Sequence, residues 1–110
     1  MTNLFTPDDR MQVFQCEDIQ AAYAHAAAGG IAVHLHSIVF PHSPQCFRQA
    51  VKRGEQIAHV FGQDAEELKL LAKKHGVRVL YIDKPGTPRQ HIDMCGKPLQ
   101  NLLDEIGATP

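Results

Sequence analysis

Three of the seven histidines and one of the three cysteines lie in one segment, Ile31 to Cys46, which reads I-A-V-H-L-H-S-I-V-F-P-H-S-P-Q-C. Imidazole and thiolate groups bind transition metals and transfer protons near neutral pH. The run of β-branched and apolar residues in the same segment favours a β-strand. The segment therefore places this chemistry on one predicted strand and directly after it.

His34 and His36 are separated by one residue, so their side chains point to the same face of a strand. Their Cα atoms would lie about 6.5–7 Å apart, and both rings could reach one metal at about 2.0–2.1 Å from each nitrogen. A catalytic metal usually takes a third protein ligand. The candidates for that ligand are His59, His42, His91 and Asp93. The competing interpretation is that both rings form hydrogen bonds within the sheet or face solvent.

A helix is predicted to start at Ser43, because a serine cap followed by Pro44 is a typical helix beginning. Cys46 would then lie in the first turn, where the helix dipole favours the thiolate form. His42 is close enough in sequence to act as a proton partner, and Ser43 is a candidate ligand-binding residue. The alternative is that Cys46 is a small buried hydrophobic residue.

His91 and Asp93 form an H-x-D pair in a predicted loop before the last helix. An aspartate at this distance could orient the imidazole or join it as a metal ligand. Arg89 and Lys97 flank the pair and would suit an anionic ligand. The alternative is that Asp93 caps a turn and His91 is exposed.

The elements that must position these residues alternate along the chain. Strands are predicted from apolar and β-branched runs, at 11–16, 31–40, 56–61 and 77–82. Helices are predicted from apolar spacing and from caps, starting at Glu17 or Asp18, at Ser43, at Asp64 and at Pro98. Glu67, three residues after Asp64, completes the pattern of a capping box.

This alternation predicts one α/β domain over residues 1–110, with a sheet of about four strands between two layers of helices. The sheet is expected to be largely parallel or mixed; a smaller α+β sheet with one antiparallel strand is the alternative. Ligands of parallel sheets bind beyond the carboxyl ends of the strands. The site is therefore expected at that edge.

Composition narrows the function classes. The chain has 110 residues, 44% hydrophobic and 21% charged, with a formal charge of −1, so it carries no basic footprint for nucleic acid. We expect no membrane segment and no signal peptide. Three cysteines without a C-x-x-C pair indicate free thiols and a cytoplasmic setting. A homodimer is a further expectation.

The segment I-A-H-V-F-G-Q-D-A-E-E-L-K-L-L-A-K-K-H-G-V, with a later H-I-D-M, resembles a group of short uncharacterised bacterial domains. These domains join a histidine-bearing strand and a D-x-E-E-L helix to an H-[aromatic]-D-[apolar] element. The resemblance covers residues 57–108. Ile92 replaces the aromatic residue, and Lys97 falls one position early. The resemblance implies that His59, His91 and Asp93 share one site, and it implies no reaction.

Three hypotheses follow. The first is a small domain that binds an anionic small molecule or a partner protein at the strand-end edge. The second is a metal-dependent hydrolase with histidine ligands for zinc, iron or nickel, in which Asp93 orients or coordinates. The third is thiol chemistry at Cys46.

Overall fold

A mixed five-stranded sheet forms the centre of the computed structural model, which describes residues 10–37, 56–78 and 80–107. The strands are β1 (Met11–Phe14), β2 (Ile31–Ser37), β3 (Gln56–Phe61), β4 (Ile82–Asp83) and β5 (His91–Cys95). The helices are α1 (Ile19–Ala27), α2 (Ala65–Lys74) and α3 (Gly96–Glu105), and a short 3-10 turn covers Cys16–Asp18.

The strand order is β1-β2-β3-β5-β4. Among the described strands, only β1 and β2 pair in parallel, whereas the β2–β3, β3–β5 and β4–β5 pairs are antiparallel. The predicted α/β class is therefore confirmed in its mixed form. Antiparallel neighbours end at opposite edges of a sheet, so β3 ends at the edge opposite to that of β2 and β5. The three strands therefore do not share the carboxyl-end edge at which the site was expected.

The apolar core lies between one face of the sheet and the helices α2 and α3. Strand residues on this face include Val33, Val60 and Met94, all fully buried. Leu68 and Leu71 of α2 and the leucines of α3 pack against them, which follows from their i, i+3 and i+4 spacing. This face therefore holds the larger of the two apolar clusters that the described residues form.

A second apolar cluster forms on the other face, where α1 packs. Ala22 and Ala26 of α1 contact Ala32 and Phe61 of the sheet, with Tyr23 against the edge of the Phe61 ring. Small alanines allow the helix to lie close to the strands. α1 thereby stands next to the residues that form the candidate site.

The second half of the chain corrects two sequence predictions. The segment 77–82 is not a strand over most of its length: among its described residues only Ile82 pairs, while Leu80 and Tyr81 are exposed. Conversely, the expected loop around His91 is the strand β5. Its alternation directs Ile92 and Met94 into the core and the polar residues to the opposite face.

The predicted start of α2 is confirmed in detail. The Asp64 carboxylate accepts hydrogen bonds from the backbone N–H groups of Glu66 and Glu67 at 3.0 and 3.3 Å. Glu67 does not complete a capping box, because its carboxylate pairs with Arg10, the residue directly before β1. α3 begins two residues earlier than predicted, at Gly96.

Within residues 10–37, 56–78 and 80–107, no helix is long and apolar enough to cross a membrane. The predicted helix after Ser43 and the end of the predicted strand at 31–40 lie outside the described residues.

Candidate metal centre

The register of the central strands brings the polar residues of the sheet into neighbouring rows. His34, His59 and Asp93 lie opposite one another across β2, β3 and β5. One row further along, Phe61, His91 and Asp83 lie opposite one another across β3, β5 and β4. Neighbouring strands are about 4.8 Å apart, so side chains from both rows meet on the face that α1 partly covers.

His59 connects the two sides of this cluster. Its Nδ1 donates a hydrogen bond to Oδ1 of Asp93 at 2.6 Å, and its Nε2 lies 2.7 Å from Nε2 of His36. With both rings neutral, a His59 that donates through Nδ1 carries a lone pair on Nε2, so His36 must donate to it. Asp93 is buried and His59 is partly buried, so this contact orients the ring of His59.

The tautomer of His91 is set by the backbone. Its Nδ1 donates to the carbonyl oxygen of Arg89 at 2.9 Å, which leaves the lone pair of the neutral ring on Nε2. That Nε2 lies 3.4 Å from Oδ1 of Asp93 and 3.4 Å from Oδ2 of Asp83. A lone pair that faces two carboxylates needs a cation between them, either a proton or a metal ion.

Burial disfavours the proton. Desolvation lowers the pKa of His91 below its ordinary value of 6.5, against the raising effects of the Arg89 carbonyl and of the Asp93 and Asp83 carboxylates. His91 is therefore expected to be largely neutral at pH 7, with Nε2 available as a ligand.

His59, His91 and Asp93 each offer one ligand atom, and these three atoms all lie within 4.8 Å of one another. Two ligand atoms that bind one tetrahedral ion, each about 2.0–2.1 Å from it, are separated from each other by roughly 3.4 Å. The Nε2 atom of His91 and the Oδ1 atom of Asp93 are 3.4 Å apart. Two imidazoles and a carboxylate suit zinc and non-haem iron. This His-His-Asp group is therefore placed at metal-binding distance, within the described part of the chain.

His34 lies beside the group and has one unsatisfied nitrogen. Its Nε2 donates to the carbonyl oxygen of Cys16 at 2.9 Å, so Nδ1 carries the lone pair. Nδ1 is buried and has no hydrogen-bond partner among the described residues. The planes of the His34 and His59 rings are almost parallel, with centroids 6.1 Å apart.

A cleft of about 500 Å³ opens beside these residues. Its polar wall contains four histidines of the sheet, together with Asp83 and two cations, and Cys16 also lines it. Its apolar wall is formed by α1 and β3. The lining side chains from these groups are His34, His36, His59, His91, Asp83, Lys84, Arg89, Cys16, Ile19, Tyr23 and Phe61.

The structure brings together five of the residues singled out from the sequence, namely His34, His36, His59, His91 and Asp93. Arg89 lines the same cleft. Lys97 is exposed in the first turn of α3 and is not among the residues that line it. His42, Ser43 and Cys46 lie outside the described residues.

Asp83, Lys84 and Tyr23 were not among the site residues selected from the sequence, although Asp83 and Lys84 follow the predicted strand 77–82 at the expected site edge. A signal for Asp83 was present, because Asp83 directly follows a β-rich run as a strand-end residue. Its pairing opposite His91 could not be read without knowing that 91–95 is a strand. The packing of α1 on the sheet places Tyr23 beside the cleft, and the spacing of apolar residues along the helix does not determine that packing.

Comparisons with protein-family models, with curated proteins and with solved structures found no match to this chain. The class that the fold and the site define is therefore that of a small α/β protein with a His-His-Asp group at metal-binding distance.

Proposed function

We propose that the protein is a metal-dependent hydrolase that binds one divalent transition metal through His59, His91 and Asp93. The observation that carries the proposal is the convergence of their three ligand atoms within 4.8 Å on one face of the sheet. Catalytic zinc typically takes three protein ligands and keeps a further position for water or substrate. The three-residue group and the adjoining cleft match that requirement.

Asp83 supplies the second element that hydrolysis needs. Its carboxylate lies 3.4 Å from the proposed ligand atom of His91 and is partly exposed to the cleft. A metal lowers the pKa of its bound water and polarises a carbonyl or phosphoryl oxygen. Asp83 is placed to accept the proton that the water loses as its oxygen bonds to the substrate, and to pass that proton to the leaving group.

Metal binding should be coupled to proton release. The 2.6 Å contact between Nδ1 of His59 and Oδ1 of Asp93 requires a proton between the two atoms, and ligands must lose their protons before they coordinate. His36, in contact with the other nitrogen of His59, is suited to keep the ring oriented while the proton is exchanged.

The binding test uses protein purified without a histidine tag, stripped with chelator and titrated with Zn²⁺, Ni²⁺ or anaerobic Fe²⁺ by calorimetry. We expect one ion per chain, with Kd below about 10 µM for at least one metal. His91→Ala and Asp93→Asn should each weaken binding by about 100-fold.

Two variants serve as matched controls. Asp64→Asn keeps the oxygen that caps α2, and His75→Gln removes a histidine bound to Leu71 and Glu105, outside the candidate site. Both should retain the metal affinity of the unchanged protein. Absence of binding by every metal, or equal affinities in all variants, would contradict the proposed metal centre.

A second measurement tests the reaction. Hydrolysis of 4-nitrophenyl acetate and 4-nitrophenyl phosphate by the metal-loaded protein should fall by about 100-fold or more in Asp83→Asn, with metal affinity retained. If the protein binds metal but hydrolyses neither ester, the metal centre would stand and the hydrolase assignment would be wrong.

A further inference from the structure

We infer that the cleft beside the metal centre binds a small organic anion, with Lys84 and Arg89 holding the negative group and Tyr23 and Phe61 contacting an apolar body. This inference rests on the proposed function for the position of the reacting bond. It extends that function by naming the substrate class.

The two cations at the cleft lack a counter-ion among the described residues. Lys84 and Arg89 are both exposed and both line the cleft. Neither side chain forms an ion pair with another residue in the described part of the chain. The charges of Lys84 and Arg89 are therefore available to a ligand.

The backbone at Lys84 is unusual and is held in place. Lys84 has φ of 53°, in the left-handed region, and no other non-glycine residue in the described ranges has a positive φ. A side chain in this region is disfavoured. Such conformations persist where surrounding contacts fix them, and they are common at ligand sites. Here the Lys84 carbonyl accepts hydrogen bonds from Oγ1 of Thr87 at 2.8 Å and from its backbone N–H at 3.3 Å.

Arg89 is positioned by an aromatic ring. Its guanidinium carbon lies 4.5 Å from the centroid of Tyr23, a cation–π contact. Arginine in this arrangement keeps its N–H groups at the ring edge for a carboxylate or phosphate. The same contact joins α1 to the loop before β5, so it fixes the cation between the two walls of the cleft.

Gln90 attaches the loop of both cations to the rest of the fold. This residue is buried; its side-chain nitrogen donates to the carbonyl oxygens of Gly62 and Gln63 at 2.9 and 2.7 Å. Its side-chain oxygen accepts from the N–H of Gly86 at 3.0 Å. Because these hydrogen bonds already hold the loop in place, it loses less entropy when a ligand binds.

The charges around the cleft favour an anion once a metal is bound. Asp83 and Asp93 balance the two charges of a divalent ion, which leaves the positive charges of Lys84 and Arg89. Cations that line a cleft attract ligands of the opposite sign and raise their local concentration. The rings of Tyr23 and Phe61, in edge contact at 5.1 Å between centroids, add an apolar surface for a ring or short chain.

The test measures binding of phenyl phosphate, benzoate and neutral benzyl alcohol by ligand-observed NMR, with zinc-free and zinc-loaded protein. These probes share the phenyl body and differ in the polar group, so the two anions separate phosphate from carboxylate recognition. We expect at least one anion to bind about tenfold more tightly than benzyl alcohol. Lys84→Gln with Arg89→Gln should remove that preference and leave the alcohol unchanged.

Lys69→Gln is the matched control, because Lys69 is a partly exposed lysine on α2, which packs on the opposite face of the sheet. It should bind all three probes as the unchanged protein does. Equal binding of anions and alcohol, or an anion preference that persists in the double variant, would overturn the inference. Anion binding that requires zinc and ignores both substitutions would assign the anion to the metal instead. Zinc-free binding lost in the double variant would support the anion site even if no metal binds.

Discussion

The two faces of the sheet are made by the same strands, but one is almost wholly apolar and the other carries the histidines beside a small apolar cluster. On β2, Val33 and Leu35 enter the apolar core, whereas His34 and His36 point to the face with the cleft. On β5, Ile92 and Met94 alternate with His91 and Asp93 in the same way. Alternation thus separates the residues that stabilise the fold from those proposed to act in chemistry.

The helices that cover the two faces differ as well. α2 and α3 contribute leucines that interdigitate with the core face. α1 contributes two alanines, Ala22 and Ala26, to its contact with the sheet. An alanine contact brings the helix backbone close and places Tyr23 beside the cleft. We therefore expect substitutions on the core face to change stability, and substitutions on the histidine face to change binding.

The largest effect is expected on the core face. Leu102→Ala removes a fully buried side chain of α3, which should lower the free energy of unfolding by about 2–5 kcal/mol. Urea unfolding of the metal-free protein measures this change. Zinc affinity of the folded variant should equal that of the unchanged protein; a parallel loss of affinity would show that the two faces are not separable.

Asp93→Asn tests the histidine face by ligand-induced stabilisation. Zinc at about 100 times its Kd should stabilise the unchanged protein by about 2.7 kcal/mol. We expect Leu102→Ala to keep this increment in stability. Asp93→Asn should lose most of it, because the asparagine no longer provides a charged ligand for the metal. Thermal unfolding with and without zinc provides the measurement. An increment retained in Asp93→Asn would place the metal elsewhere.

Gln90→Leu should affect both properties moderately. The substitution leaves the carbonyls of Gly62 and Gln63 without their side-chain donor, at a cost of about 1–3 kcal/mol. It also releases the loop of Lys84 and Arg89, so the proposed preference for phenyl phosphate or benzoate over benzyl alcohol should decrease. Unchanged stability together with unchanged anion binding would remove Gln90 from its assigned role.

The smallest effect concerns pH. The pKa of His91 is lowered in the folded protein, chiefly by burial, so the unfolded chain binds its proton first as pH falls below about 6.5. The free energy of unfolding of the metal-free protein should therefore decrease as the pH falls from about 6.5 to the lower pKa of His91 in the folded state.

The matched comparison is between one variant from each face. His91→Gln should show a weaker dependence of unfolding free energy on pH in this window, whereas Leu102→Ala should keep the dependence of the unchanged protein. Urea unfolding at a series of pH values measures both. An undiminished pH dependence in His91→Gln would assign it to other groups.

Local patterns predicted the elements whose signals are contained in a few neighbouring residues. The Asp64 cap fixed the start of α2 because the carboxylate bonds to N–H groups two and three residues away. The strand 56–61 has the bounds that its apolar run indicated. β5 was missed, because its five residues follow a Gly- and Pro-rich loop and its polar side chains resembled a loop site.

The sequence by itself determined which residues could do chemistry and that His34 and His36 share a face, since a strand alternates with period two. The tertiary structure alone decided that Asp93 lies opposite His59 and Asp83 opposite His91. Asp93 and His59 are separated by 34 positions along the chain, and His91 and Asp83 by eight. Their register depends on long-range strand pairing and on burial of the core face, which no local pattern encodes.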